Sequence, residues 1–288
     1  MSATYLITGA SGKLGSKVVD QLLAHGVGPA SIVALVRSED KGQAIKAKGV
    51  QIRIGNYDDK ESLQRAVKGI THAFLVSGHD MGKRVTQHKN FVEAVKQVGP
   101  SFKLLTYTSH LYAKTSPALL AADHKETEEA IEQSGVPYSM LRNGWYIENT
   151  AAQIGVWNKT GVIVGATGQG RVSAASINDY AEAAVKVMTS TGPTKKIYEL
   201  GGHPGYTLDE LASIASDVLG KPIKAVHQSK AEYASTLASV GLPPAFANVL
   251  ADAEDNASRA SLLDDTHDLE TLIGRPSESV IDVMKSFL

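Results

Sequence analysis

The sequence predicts an α/β fold with a doubly wound parallel sheet, and three observations support it. Short apolar segments alternate with segments of helical periodicity over the first half of the chain. Most of these apolar segments are continuous, which is typical of parallel strands covered by helices on both faces. A glycine-rich turn directly follows the first strand. Together they predict right-handed crossovers that place helices on both faces of one sheet.

The first part of the chain contains six predicted strands, recognised as runs rich in β-branched and aromatic residues. These strands cover residues 4–8, 31–36, 50–54, 71–76, 102–108 and 136–141. The helix after the first strand has Leu14, Val18, Val19, Leu22 and Leu23 on one face. Further helices are predicted at 40–48, 59–68, 84–98 and 122–134. This order predicts a large first domain over residues 1–150.

Beyond residue 150 the alternation loosens and helical patterns dominate. Capping-box patterns begin two helices, at Thr207 with Glu210 and at Ser229 with Glu232. Short strands are predicted at 162–164, 196–200 and 222–227. No linker rich in proline, serine or glycine separates the two parts. We therefore expect residues 151–288 to form a smaller, mostly helical lobe on the substrate side, interwoven with the first domain.

Composition and charge exclude several classes of function. The 29 lysines and arginines balance 30 acidic residues, so no bulk charge draws the chain to nucleic acid or to an anionic membrane. The absence of cysteine excludes a disulfide framework, a thiolate zinc site and a thiol nucleophile. No apolar run reaches the ~20 residues of a membrane span, and no signal peptide is evident. A cytoplasmic protein without membrane or nucleic-acid partners is expected.

Three of the 26 glycines form the most specific motif, G-x-x-G-x-x-G, at Gly9, Gly12 and Gly15. The first allows a tight turn, the second lets the backbone approach a pyrophosphate, and the third lets helix and strand pack closely. The position between strand and helix predicts a Rossmann-type dinucleotide site over an ordinary glycine-rich turn. The expected cofactor contacts in this turn come from Gly9, Ser11, Gly12, Lys13, Leu14 and Gly15.

Arg37 indicates which dinucleotide is bound. NAD-dependent enzymes of this kind place an acidic residue at the end of the second strand, where it binds the ribose 2′-hydroxyl. Here the position holds Arg37, which suits a 2′-phosphate, and Lys13 adds a second cation. NADPH is the predicted cofactor, with NADH as the alternative donor. A solvated charge at the strand end is the competing interpretation of Arg37. Ser77 and Gly78, after the fourth strand, are predicted to let the cofactor pass close to the backbone.

The usual catalytic pair of short-chain dehydrogenases is missing. None of the ten tyrosines has a lysine four residues later, so the tyrosine route for alcohol oxidation is disfavoured. The helix expected to carry that pair instead has His124 and Glu128, four residues apart and on one face. They are expected either to form a hydrogen-bonded pair, with His124 as a proton donor or substrate-orienting group, or to serve helix packing. No spacing groups the nine histidines as zinc ligands, so no metal site is expected.

The sequence resembles the NmrA-like branch of the atypical short-chain dehydrogenases, above all its quinone-reducing members. The most specific part of the resemblance is the string from Arg142 to Tyr146, because many other members carry proline after the arginine. Supporting segments are the 9–15 turn and residues 33–37, 107–109, 115–117, 124–128, 165–170, 178–181, 198–200, 240–243 and 272–274. The resemblance covers nearly the whole chain.

This resemblance implies hydride transfer from NADPH to a small-molecule quinone that binds between the two lobes. The nicotinamide is expected near Asn143, Gly144 and Trp145, with Asn143 donating a hydrogen bond in catalysis. Trp145 and Tyr146 are expected to offer flat surfaces to the substrate, and core packing is the alternative for Trp145. Other functions considered are a reductase of triphenylmethane dyes and a non-catalytic NAD(P)-binding redox sensor. The sequence does not predict an oligomeric state.

Overall fold

The structure, a computed structural model, describes residues 3–80, 82–192 and 194–288. The strands are β1 (Tyr5–Ile7), β2 (Ile32–Val36), β3 (Gln51–Ile54), β4 (His72–Leu75), β5 (Leu104–His110), β6 (Tyr138–Asn143), β7 (Trp145–Tyr146), β8 (Val162–Gly165), β9 (Ala174–Ala175), β10 (Ile197–Leu200) and β11 (Lys224–His227). The helices are α1 (Lys13–Ala24), α2 (Glu39–Lys46), α3 (Lys60–Ala66), α4 (Arg84–Lys96), α5 (Leu119–Ser134), α6 (Ile147–Ala151), α7 (Ile154–Thr160), α8 (Ile177–Met188), α9 (Leu208–Leu219), α10 (Lys230–Ser239), α11 (Pro244–Ala257), α12 (Asp268–Ile273) and α13 (Val280–Lys285).

Within the described residues, the main sheet has seven strands in the order β10-β6-β5-β4-β1-β2-β3. The β1 strand pairs in parallel with β2 and with β4, so that Leu6 lies opposite Val33 on one side and Ala73 on the other. The order reverses between β1 and β4. In open α/β sheets, ligands bind beyond the carboxyl ends of the strands at this switch point. The predicted doubly wound sheet is therefore confirmed.

The first of two compact units consists of residues up to Ser109, Asp123–Arg142 and Tyr180–Tyr198. Its core lies against the main sheet, and its largest members are fully buried. They include Leu6, Leu63, Phe91, Leu105 and Tyr107. Burial of such side chains stabilises by about 1.5–3 kcal/mol each. This core holds the carboxyl ends of β1, β2, β4 and β5 in fixed positions.

The second unit consists of His110–Ala122, Asn143–Asp179 and Glu199–Leu288. Its core includes Ile147, Trp157, Leu211 and Met284. Both predicted capping boxes are present, with each hydroxyl and each glutamate bonded to the other residue's backbone amide. The division into lobes over 1–150 and 151–288 stays a prediction.

The β10 strand pairs with a different part of the protein than the sequence predicted. Residues 196–200 were expected to form a short strand of the C-terminal part, and β10 instead extends the main sheet beyond β6. Its residues are too few and too weakly patterned for the sequence to reveal this partner. None of the helices among the described residues is long and apolar enough to cross a membrane.

Candidate active site

The glycine turn links β1 to α1 at the switch point of the sheet. Gly9 has a φ of 55°, which favours glycine, and the Gly12 amide donates a 2.8 Å hydrogen bond to the Gly9 carbonyl. A Cβ on Gly15 would lie 2.3 Å from that carbonyl oxygen, so only glycine fits here. Gly12 is the N-cap of α1, and no side chain caps the helix. The first amides of α1 are thus available to an anion, as a pyrophosphate site requires.

The other residues predicted in this turn fall into two groups. Ser11 and Lys13 are exposed, so their side chains can reach a phosphate. The Leu14 side chain is buried in the core, and only its backbone amide in the first turn of α1 remains for a ligand. The turn therefore fits a dinucleotide through backbone amides and one lysine.

Arg37 is exposed at the residue after β2. The Ala10 amide donates a 3.4 Å hydrogen bond to the Leu35 carbonyl, which ties the glycine turn to the end of the same strand. The nearby Glu39 pairs with Lys46 at 3.0 Å, an exposed contact within α2. Arg37 is therefore exposed at the end of the strand to which the glycine turn is hydrogen-bonded, and its contact with a 2′-phosphate stays a prediction.

The end of β4 is held by a buried network that the sequence did not reveal. The Tyr57 hydroxyl lies 2.6 Å from Thr8 Oγ1 and 2.8 Å from the Val76 carbonyl oxygen, and its single hydrogen is donated to one of them. Burial raises the pKa of Tyr57 well above its ordinary value, so the phenol stays protonated. The Ser77 amide donates to Thr108 Oγ1 at 2.8 Å. These bonds fix the backbone of Ser77 beside the glycine turn.

His88 holds Gly78 through a single tautomer. The Gly78 amide donates to His88 Nε2 at 3.0 Å, so that nitrogen carries a lone pair. Thr127 Oγ1 donates to the Asp123 carbonyl and accepts from His88 Nδ1 at 3.0 Å. Burial, with the Arg84 charge nearby, lowers the pKa of His88 to about 3. The neutral imidazole is a positioning group for the Gly78 backbone.

We expect acid to destabilise the protein through His88. The histidine of the unfolded chain gains a proton as pH falls below about 6.5, whereas the folded His88 resists it until about pH 3. Stability due to His88 is thus present above pH 6.5 and falls below it, by up to about 1.4 kcal/mol per pH unit. Urea unfolding at pH 7 and pH 5 measures the loss. In a His88→Gln variant, the free energy of unfolding should fall less between pH 7 and pH 5. The control is His25→Gln, at an exposed histidine, which should lose as much as wild type. Equal slopes for His88→Gln and wild type would contradict this role.

His124 and Glu128 share a face of α5, as predicted, yet Glu128 binds other partners. Glu128 accepts hydrogen bonds from the Ser109 hydroxyl at 2.6 Å and from Arg142 Nε and Nη2 at 2.8 and 2.6 Å. His124 Nδ1 lies 2.9 Å from the Tyr107 hydroxyl. Both side chains are buried. The structure therefore gives Glu128 a buried ion pair with Arg142. The two expectations for His124, a pair with Glu128 or helix packing, both stay predictions.

In the second unit, the segment from Asn143 to Tyr146 continues from β6 into β7. The Asn143 carbonyl accepts from the Leu111 amide at 3.1 Å, and the Gly144 amide donates to the Leu200 carbonyl at 2.7 Å. Trp145 lies opposite Ala174 in a two-stranded sheet. The tryptophan is half-buried and packs against the core of this unit, so core packing accounts for part of its surface.

The side chain of Asn143 is the most informative polar group of this segment. Its Nδ2 donates to the Tyr146 hydroxyl at 3.1 Å. Its Oδ1 is buried and has no hydrogen-bond partner among the described residues. An unpaired buried acceptor is costly unless a ligand satisfies it. A carboxamide N–H, as on nicotinamide, has the donor that Oδ1 lacks. The glycine turn of the first unit thus fits a pyrophosphate, and Asn143 of the second unit fits a carboxamide N–H, both of which NADPH contains.

The chain is similar to known proteins over nearly its whole length. The model of the NmrA-like family matches residues 1–272. Quinone oxidoreductase 2 of Escherichia coli is 40% identical over 276 residues, which are 96% of each chain. A crystal structure of an Escherichia coli NADPH-dependent quinone oxidoreductase with NADPH has a TM-score of 0.94 at 40% identity and covers 98% of this chain and 99% of that chain. The Citrobacter sp. triphenylmethane reductase with NADP(H) has a TM-score of 0.92 at 34% identity and covers 99% of this chain and 100% of that one.

Proposed function

The chain belongs to the NmrA-like family, and from this membership we propose that it is an NADPH-dependent oxidoreductase that reduces a quinone or a similar conjugated electrophile. The observation that carries the proposal is the similarity to quinone oxidoreductase 2 along 96% of both chains. The uncapped glycine turn and the unpaired Asn143 Oδ1 support the binding of the cofactor. A cytoplasmic location belongs to the same proposal.

The chain's own residues bind and orient both reactants. The first amides of α1 bind the pyrophosphate, Arg37 and Lys13 bind the 2′-phosphate, and Asn143 accepts a hydrogen bond from the carboxamide. Ser77 and Gly78 give close backbone approach, while Trp145 and Tyr146 present aromatic surfaces to the substrate. NADPH supplies the hydride. A hydride and one proton convert a quinone into a hydroquinone and leave NADP⁺.

Reduction of a quinone does not require a strong acid to protonate the product. A quinone accepts hydride readily, and the resulting oxyanion takes its proton from water or from a weak donor. Burial raises the pKa of Tyr146, although the hydrogen bond from Asn143 opposes this rise. The phenol therefore stays protonated and can donate a hydrogen bond. The absence of a Tyr-x-x-x-Lys pair is compatible with this chemistry.

The test of the function is steady-state oxidation of NADPH and NADH with a panel of acceptors. Benzoquinones and naphthoquinones should be reduced, with NADPH preferred. Triphenylmethane dyes are included because the Citrobacter sp. reductase has a similar structure, and turnover of dyes alone would move the substrate class to dyes. Tight NADPH binding without oxidation by any acceptor would replace the enzyme with the redox-sensor alternative.

Arg37→Asp should reverse the cofactor preference. A charge-assisted bond to a phosphate contributes about 1.5–3 kcal/mol, so kcat/KM for NADPH should fall about 10- to 100-fold. The value for NADH should hold or rise, because aspartate accepts the ribose hydroxyls. Arg65→Asp, an exposed arginine of α3, is the matched control. Unchanged NADPH kinetics in Arg37→Asp would remove Arg37 from the site.

His124 is proposed as a proton donor or substrate-orienting group. His124→Gln keeps a polar partner for the Tyr107 hydroxyl but cannot carry a proton. We expect kcat to fall by at most about 100-fold, because water can replace His124 as the proton source, and we expect the KM for NADPH to stay unchanged. His72→Gln, on the side of the sheet away from the strand carboxyl ends, is the control. Wild-type turnover in His124→Gln would assign His124 to packing.

A further inference from the structure

A cluster of two histidines and a glutamate lies in the second unit and shares no residue with the proposed active site. His203 follows β10, and His267 and Glu270 lie at the start of α12. One ligand atom of each lies within 4.8 Å of the other two. Glu270 Oε2 is 3.6 Å from His203 Nδ1 and 2.7 Å from His267 Nδ1. His203 is far in sequence from His267 and Glu270, which are close to each other, so no spacing predicted this cluster.

The tautomer of His203 places the lone pair of its ring on Nδ1, the nitrogen nearer to Glu270. His203 Nε2 lies 2.7 Å from the Asp264 carbonyl oxygen, which can only accept, so Nε2 carries the hydrogen. In the neutral ring, Nδ1 then has a lone pair directed toward Glu270. Nδ1 is buried and has no hydrogen-bond partner among the described residues. A lone pair beside a carboxylate is unfavourable unless a positive charge lies between them.

The position of His203 is fixed by its surroundings. Its amide donates to Ser277 Oγ at 3.2 Å. Asp264, whose carbonyl orients the ring, is itself held in place. Its carboxylate accepts hydrogen bonds from the backbone amides of Gly201 and Thr266 at 2.9 and 3.0 Å. An N–H bond from a ligand histidine to a backbone carbonyl is the usual outer-shell arrangement at metal sites. It leaves the other ring nitrogen ready for coordination.

We propose that His203, His267 and Glu270 bind a divalent first-row transition-metal ion. Two imidazole nitrogens and one carboxylate oxygen at about 2.0–2.2 Å from a tetrahedral Zn²⁺ ion lie about 3.3–3.6 Å from one another. The two observed contacts of Glu270 Oε2, at 3.6 and 2.7 Å, lie near this range. Coordination requires His267 to move its hydrogen from Nδ1 to Nε2 and its exposed ring to rotate out of the stack with His203, in which the ring centroids are 3.9 Å apart. The rotation is needed because the in-plane lone pairs of two stacked rings do not converge on one ion. The set leaves at least one position for water, and His203 also lines a cavity of about 450 Å³.

The test is a calorimetric titration of untagged protein with Zn²⁺. One ion per chain should bind at micromolar concentration, while Mg²⁺, which prefers oxygen ligands, should not bind. Co²⁺ should give visible absorption bands with nitrogen ligation. Zn²⁺ should also raise the unfolding temperature, because it binds only the folded site.

Variants decide whether these residues form the site. His267→Ala and Glu270→Gln should weaken Zn²⁺ binding at least about 10-fold and remove the thermal shift. The His267 side chain is 60% exposed, so its replacement opens no cavity in the core. His227→Ala is the matched control, because His227 also faces a carboxylate, Asp209, at 3.2 Å on an exposed surface. No stoichiometric binding by wild type, or equal loss in His227→Ala, would overturn the site and leave an imidazolium–carboxylate contact.

Discussion

A Gly15→Ala variant is expected to lose NADPH binding and part of its stability. The added Cβ would lie 2.3 Å from the Gly9 oxygen, 2.7 Å from the Gly9 carbon and 2.9 Å from the Ala10 Cα. All three are backbone atoms of the turn, so the clash is relieved only by moving α1 away from β1. Overpacking of this kind costs about 1–3 kcal/mol. The displaced amides should lower NADPH affinity by at least about 100-fold, which fluorescence titration and urea unfolding together measure.

Two matched glycine variants separate the causes. A Cβ on Gly28 would meet nothing within 4 Å, so Gly28→Ala should resemble wild type in both measurements. A Cβ on Gly12 would meet only the Gly9 oxygen, at 3.1 Å. Gly12→Ala should therefore keep most of the stability and still bind NADPH more weakly, because its methyl group occupies the approach of the pyrophosphate. Wild-type affinity in Gly15→Ala would show that the dinucleotide binds elsewhere.

The fold and the glycine turn were predictable because their signals are local. The spacing of Gly9, Gly12 and Gly15 reflects contacts within one turn, and the apolar strands reflect burial on both sheet faces. The role predicted for Arg37 depends only on its position at the end of β2. These features depend on residues that are neighbours in sequence.

The partners of the buried polar side chains could not be predicted, because they come from segments that are distant in sequence. His88 binds Gly78 and Thr127, and no pattern around His88 reveals either partner. Helical spacing placed His124 and Glu128 on one face but did not reveal Arg142, which comes from β6. His203, similarly, joins His267 and Glu270 only through the fold. Tertiary packing selects the partners of polar groups, and the sequence alone shows only their local positions.

Replacing Arg142 with methionine should cause the largest loss of stability in the chain. Glu128 is fully buried, and Arg142 supplies two of the three hydrogen bonds given above for Glu128 among the described residues. Removing one partner of a buried ion pair leaves a charge without compensation and costs about 3–5 kcal/mol. Arg259→Met is the control, because its contact with Asp255 is 3.5 Å long and largely exposed, and should cost at most about 0.5 kcal/mol.

The double variant Arg142→Met with Glu128→Gln tests the cause of that loss. Glutamine is neutral and still accepts the hydrogen bond from Ser109, so the double variant should regain much of the free energy of unfolding. NADPH affinity should fall in Arg142→Met and partly recover in the double variant, because Arg142 directly precedes Asn143 in β6. If the double variant is as unstable as Arg142→Met alone, the packing of the arginine side chain stabilises this region and the buried charge does not explain the loss.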